Sequence, residues 1–159
     1  MNRSVADQAV ETFEFTRDEM IDAPIEIVFQ SMLDEIGPER QIPNGTPMPM
    51  KLEPWPGGRW LRDLGNSAGH LWGHVQVIKP PTLLELYGPF FMSYPATNHA
   101  QYRLAAEGNG TRLKFTHKAI GLIPQQHREG MGEGWSYGLT RIREIASAKL
   151  KAKQKETNR

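Results

Sequence analysis

The sequence predicts an α+β fold in which a curved antiparallel sheet packs against one long C-terminal helix. Two observations carry this. From Pro124 to Leu150, Met131, Trp135, Leu139, Ile142 and Ala146 recur at steps of four, four, three and four, the spacing of one helical face. Glu133, Arg141, Arg143, Glu144 and Lys149 carry charge around the rest. Ahead of this stretch runs a nearly unbroken series of short β-type segments separated by Gly, Asn and Pro turns, the pattern of an antiparallel meander. At 159 residues the chain is long enough for one domain that buries roughly 70% of its unfolded surface.

Each element follows from local pattern. Residues 1–11 read as a loose leader, 12–150 as a single domain and 151–159 as a polar tail. Thr12–Ile21 alternates as a first strand, with Phe13 and Phe15 inward and a slip in register near Arg17. Asp22-Ala23-Pro24 starts a helix, a capping side chain followed by a proline whose missing N–H costs little there. Ile25, Val28, Phe29 and Met32 form its apolar face, and Gly37-Pro38 ends it. Between Pro38 and Pro56 lie six of the twelve prolines, which excludes regular helix. This is a stiffened connection with room for a short edge strand at Met50–Glu53. A lid and a wrapped loop over the sheet edge both fit it. Strands follow at Arg59–Leu64, His70–Lys79, Thr82–Tyr87, Asn98–Ala106 and Thr111–Ala119.

Strict alternation sets a trial register. Trp60, Arg62 and Leu64 share one side of their strand. In the next strands Leu71 and Val75, then Leu84 and Leu86, then Tyr102 and Leu104, then Phe115 and His117 face the same way. The expected interior is therefore apolar, with Arg62, Tyr102 and His117 as its hydrogen-bonding groups. Each needs a partner, supplied by the protein or by a ligand. Trp72, on the opposite face with His70, His74 and Gln76, marks a candidate homodimer contact. Tyr87, Phe90, Phe91, Met92 and Tyr94 crowd one loop, where they can plug the barrel end, line a cavity mouth or form an interface.

Composition narrows the function classes. Nineteen basic against eighteen acidic residues leave a formal charge of +1, which offers no electrostatic case for nucleic acid or an anionic membrane. There are no cysteines, so disulfides, thiolate nucleophiles and Cys-ligated metals are excluded. With no apolar leader and no window of 18 apolar residues, a cytoplasmic protein without a membrane span is expected.

Three motifs suggest chemistry and fail on context. Gly65-Asn66-Ser67-Ala68-Gly69 matches the nucleophile elbow G-x-S-x-G, but that elbow needs a helix after it and His70–Lys79 reads as a strand. His70 and His74, four apart on a strand, stand about 13 Å from each other, too far for one metal ion at bond lengths of about 2 Å. Pro56-Gly57-Gly58-Arg59 opens no helix, so it reads as a hairpin and not an anion cradle. No metal and no cofactor is expected.

Four pieces of the sequence carry a family resemblance. They are Ile21-Asp22-Ala23-Pro24-Ile25-Glu26-Ile27-Val28-Phe29; Pro56-Gly57-Gly58-Arg59-Trp60; Gly73 through Pro80-Pro81-Thr82-Leu83-Leu84; and Gly110-Thr111-Arg112-Leu113 with Thr116-His117 and Gly134-Trp135. In this order and spacing the chain resembles the activator-of-Hsp90-ATPase-like (AHSA1-like) branch of the START/Bet v 1-like superfamily, the SRPBCC proteins, over most of residues 13–148. The resemblance implies a helix-grip fold, a curved antiparallel sheet around a long C-terminal helix with a cavity between them. It implies no single activity and carries over no catalytic set.

Three functions follow as expectations. The first is binding of a small hydrophobic molecule in a cavity lined by Trp60, Arg62, Leu71, Val75, Leu84, Leu86, Tyr102, Leu104, Phe115 and His117 under Met131, Trp135 and Leu139. The second is a cyclase-, dehydratase- or hydrolase-like enzyme using His117, Tyr102 or Arg62 in that cavity. The third is a co-chaperone-type interaction domain using a surface.

Overall fold

A computed structural model describes residues 9–159, so most of the expected leader lies outside the described residues. Seven strands and two helices run in the order β1 (Glu11–Ile21), α1 (Ile25–Ile36), β2 (Lys51–Leu52), β3 (Arg59–Gly65), β4 (Ala68–Lys79), β5 (Leu83–Gly88), β6 (Ala96–Glu107), β7 (Gly110–Gly121) and α2 (Gln125–Thr157). They form one antiparallel sheet in the order β1-β7-β6-β5-β4-β3-β2. This is the helix-grip arrangement expected from the sequence. Among the described residues, no helix is long and apolar enough to cross a membrane.

Turn chemistry explains the meander. Asn66 and Ser67 both take positive φ, 52° and 63°, between the paired Gly65 and Ala68, as a two-residue hairpin requires. Ser67 is thus a turn residue with a strand on either side. Gly108, at φ 60°, opens the two-residue turn between β6 and β7. β1 pairs with β7 without any slip, so Ile21 is buried and Met20 faces out. Asp22 makes no cap on α1; the residue preceding the helix is Pro24, whose carbonyl accepts from the Ile27 and Val28 amides.

The alternation expected for β4 is broken by two bulges. Trp60 pairs with Gly73 but Leu61 pairs with Leu71, which leaves Trp72 as an extra residue. Val75 pairs with Leu86 and Val77 with Glu85, which leaves Gln76 as a second. An extra residue reverses which side the following residues face. Trp72 is therefore buried inside, and Leu71, expected in the cavity, is 45% exposed on the outside. Val77 moves outward with Glu85, and Ile78 sits opposite Leu84. The basis for a dimer contact at Trp72 disappears with this correction.

The core lies between the inner sheet face and both helices. Val28, Met32 and Ile36 of α1 share one cluster with Leu84, Leu86, Tyr102, Leu104, Phe115, Leu139, Ile142 and Ala146. A second cluster of Met92, Ala119, Ile123 and Met131 sits near the start of α2, and Trp135 packs on both. The Trp60 indole donates to the Ile36 carbonyl at 2.8 Å, closing the C-terminus of α1 from across the sheet. α2 continues as helix to Thr157, past the end of its apolar stripe and into the segment expected as a polar tail.

The proline-rich connection is a wrapped, hydrogen-bonded loop. Gln41 and Pro47 form an isolated bridge, and the Asn44 side chain accepts from the Thr46 amide at 2.9 Å. Tyr137 of α2 donates to Gln41 at 2.9 Å, which ties the loop to the helix. Arg40 lies within this fixed frame, its amide and carbonyl bonded to Gly37 and Met48.

Candidate functional site

A recess of about 260 Å³ opens where the start of α2 meets the loop between β5 and β6. Its construction begins with two glycines. A Cβ on Gly73 would stand 2.2 Å from the Tyr87 carbonyl oxygen, and one on Gly88 would stand 2.5 Å from that of Trp72. Only glycine lets β4 and β5 approach this closely. The Phe90 amide then donates to the Trp72 carbonyl at 2.7 Å, and Phe90 is held at φ 55°, a left-handed conformation unusual for a bulky residue. This turns Phe90 inward. Its ring lies 5.2 Å from Trp60, 5.6 Å from His117 and 6.3 Å from Trp135.

Phe90, Phe91, Trp72 and Trp135 form aromatic walls, with Met131 beside them. The floor on the helix side is Gly130 and Gly134, four residues apart and so on one face. A Cβ added at either would meet nothing within 4 Å. The other two interior glycines of α2 differ: at Gly132 a Cβ would touch Phe15 at 3.3 Å, and at Gly138 it would stand 2.9 Å from Glu35 Oε1. Thus Gly138 accommodates a neighbour, whereas Gly130 and Gly134 leave space. At the mouth, the Tyr94 hydroxyl meets His127 Nδ1 at 2.6 Å, the two rings stack, and Phe91 packs edge-on to the imidazole.

One cation faces the recess. The Arg40 guanidinium lies 5.0 Å from the Trp72 ring centroid and 5.7 Å from that of Trp60, within cation–π range. Its nearest acid is Glu35, at 3.9 Å, and its buried Nε has no hydrogen-bond partner among the described residues. Burial pushes the Glu35 carboxyl up from its ordinary value, against the opposing pull of Arg40 and Arg141.

His117, the most chemically suggestive residue in the sequence, is fully used inside the protein. The Trp135 indole N–H, which can only donate, points at Nδ1 at 2.9 Å. Nδ1 is therefore the acceptor, and Nε2 carries the proton and donates to the Asn98 side-chain oxygen at 2.7 Å. Asn98 in turn donates to the Gly88 and Pro89 carbonyls, each at 3.1 Å. Burial, with a smaller contribution from His99, lowers the His117 pKa to about 4. The ring is a neutral strut that links α2, β6, β7 and the Phe90 loop.

Of the thirteen residues expected to line a cavity, Met131 and Trp135 line this recess. Trp60, Val75, Leu84, Leu86, Tyr102, Leu104, Phe115 and Leu139 are packed in the core, and His117 is buried above them. Leu71 is outside, for the reason given by the bulge. Arg62 is likewise corrected: it is half-exposed and donates to the Pro49 carbonyl at 3.0 Å, at the rim of the proline-rich loop. Arg62, Tyr102 and His117 therefore do not converge on the recess. Sequence reasoning missed Arg40, Trp72, Gly130 and Gly134 as its parts. The glycines at 130, 132, 134 and 138 inside one helix were the available signal, since each costs up to about 1 kcal/mol relative to alanine. A larger groove of about 630 Å³ lies on the outer sheet face around Tyr87, His99 and Ile120. It is the more open of the two and has no helix over it, so the smaller recess is the stronger candidate.

The sequence profile of the family described as Activator of Hsp90 ATPase homolog 1-like protein matches residues 22–147. Among solved structures, one from Rhizobium leguminosarum is 17% identical, with 89% of this chain and 98% of that chain covered and a TM-score of 0.68. CalU16 from Micromonospora echinospora is 23% identical, covering 94% and 93%, with a TM-score of 0.58. Ara h 8.0201 is 12% identical, covering 88% and 99%, with a TM-score of 0.59. At these identities the structures establish a shared fold. A comparison with curated proteins returns no match.

Proposed function

This chain belongs to the Activator of Hsp90 ATPase homolog 1-like family, and from that premise we propose that it binds a small hydrophobic molecule in the recess at the N-terminal end of α2. The observation that carries the reading is the combination of four aromatic side chains with a two-glycine floor that leaves space unfilled. Ligand sites are concave and mostly apolar with few polar groups, and this recess has that composition. Its size suits a molecule of one or two rings, since a dry cavity of about 150 Å³ holds benzene.

The test is a calorimetric titration with a neutral bicyclic probe, 2-naphthamide, against the native protein and a Gly134→Leu variant that fills the recess. Saturable binding that weakens at least about tenfold in the variant supports the site. No binding to either, or equal binding to both, refutes it.

A further inference from the structure

We infer that the recess selects a planar aromatic anion, a molecule of one or two fused rings bearing a carboxylate or a comparable acidic group, which Arg40 receives. This rests on the small-molecule reading above and specifies its ligand class.

Three observations lead to it. First, the charged residue lining the recess is Arg40; no aspartate or glutamate lines it, and its other polar side chains are Gln126 and His127. Second, each arginine in the strands and helices makes a side-chain hydrogen bond, whereas Arg40, whose buried Nε is without a partner as are those of Arg128 and Arg141, makes none among the described residues. Arg59 is held by Glu53, Arg112 by Asp18 and Glu107, and Arg143 by Glu19, all at hydrogen-bonding distance. Arg62 donates to a carbonyl. Arg40 has five donors to satisfy, yet among the described residues its buried Nε has no hydrogen-bond partner, and the carboxylate beside it, Glu35, stands at 3.9 Å, outside hydrogen-bond range. Third, Arg40 is not a mobile surface group. Its side chain is 17% exposed, its guanidinium rests over Trp72 and Trp60, and its backbone is fixed by Gly37 and Met48.

A guanidinium held in place, short of acceptors and set beside apolar walls presents a fork that matches a carboxylate with two parallel N–H···O bonds. Burial disfavours the charged form of Glu35, which weakens the one internal competitor for that fork. The aromatic walls meanwhile favour a flat ring system, because stacked and edge-to-face contacts add to simple burial. An acid without a ring would gain only the fork, and a neutral ring only the walls.

The experiment compares 2-naphthoate with its neutral counterpart 2-naphthamide by calorimetry on the native protein, Arg40→Gln, Arg40→Lys and Glu35→Gln, with melting curves to confirm folding. The native protein is expected to bind the anion at least about tenfold more tightly than the amide. Arg40→Gln should erase that preference and leave the amide within about threefold of native; Arg40→Lys should keep part of it. Glu35→Gln, which leaves Arg40 in place, should hold or raise anion affinity. If the native protein binds both probes alike, or Arg40→Gln weakens both equally, or Glu35→Gln abolishes the preference, the anion inference is overturned while the hydrophobic site stands. If neither probe binds, both readings fall.

Discussion

Replacing Gly134 by alanine should stabilise this protein, an uncommon outcome for a substitution in a well-packed helix. A mid-helix glycine is less favourable than alanine by about 1 kcal/mol, through backbone entropy. That gain is realised only where the added methyl meets no obstacle, and at Gly134 nothing lies within 4 Å of it. For a domain of this size about 1 kcal/mol corresponds to roughly 2–4 °C in Tm. Gly130→Ala should behave in the same way, and the double variant should melt higher than either single variant. Gly138→Ala is the internal control and should lower Tm, because its methyl would press the buried Glu35 carboxyl at 2.9 Å. Differential scanning calorimetry of the native protein and the four variants decides it. If Gly134→Ala melts lower than native, or Gly138→Ala melts higher, the distinction between glycines that leave room and glycines that admit a neighbour is wrong, and the recess loses its floor.

Three other outcomes follow from the geometry. His117 is neutral when folded, with a pKa of about 4 against an ordinary 6.5, so the unfolded chain binds the extra proton in between; stability should fall from about pH 6.5 down to about pH 4, by roughly 3 kcal/mol in all, and urea midpoints across that window that stay flat would refute it. An NMR titration of the same imidazole should show its midpoint near 4, not at or above 6.5. Trp72→Ala should cost about 3–5 kcal/mol by opening a core cavity, whereas Leu71→Ala should cost under about 1 kcal/mol; the reverse order in urea denaturation would restore the unbulged register.

The fold was readable because its signals are local. Turn pairs such as Asn66-Ser67 and the four-residue recurrence from Met131 to Ala146 announce themselves within a few residues, and the meander joins neighbours in sequence. The inner face of β6 and β7 was readable for the same reason, since Tyr102, Leu104, Phe115 and His117 follow unbroken alternation. Reading failed where one residue changes the phase. Trp72 looks external by counting, and only the pairing with β3 reveals it as the extra residue that turns inward. The candidate site was harder still, because its parts come from four separated segments: Arg40 after α1, Trp72 in β4, Phe90 after β5 and the glycines of α2. Nothing in the residues near Arg40 says which aromatic rings it will meet. His117 drew notice as a titratable group, but its satisfaction by Trp135 and Asn98 depends on contacts 18 and 19 residues away.

The pairing of β1 with β7 constrains how the protein is made. Glu11 lies opposite Gly121 and Ile21 opposite Thr111, and Thr111 also donates its hydroxyl to the Ala23 carbonyl at 2.7 Å. β1 therefore leaves the ribosome well before its partner, from which α1 and the whole β2–β6 meander separate it. At roughly 5–20 residues per second the nascent chain waits several seconds with that edge unsatisfied, and β1 docks only after the β2–β6 meander has been synthesised. Closure of so long a loop places this chain among the slower-folding topologies. The exposed charges of β1, Glu14, Arg17 and Asp18 among them, are well placed to keep the waiting strand from pairing with another nascent chain.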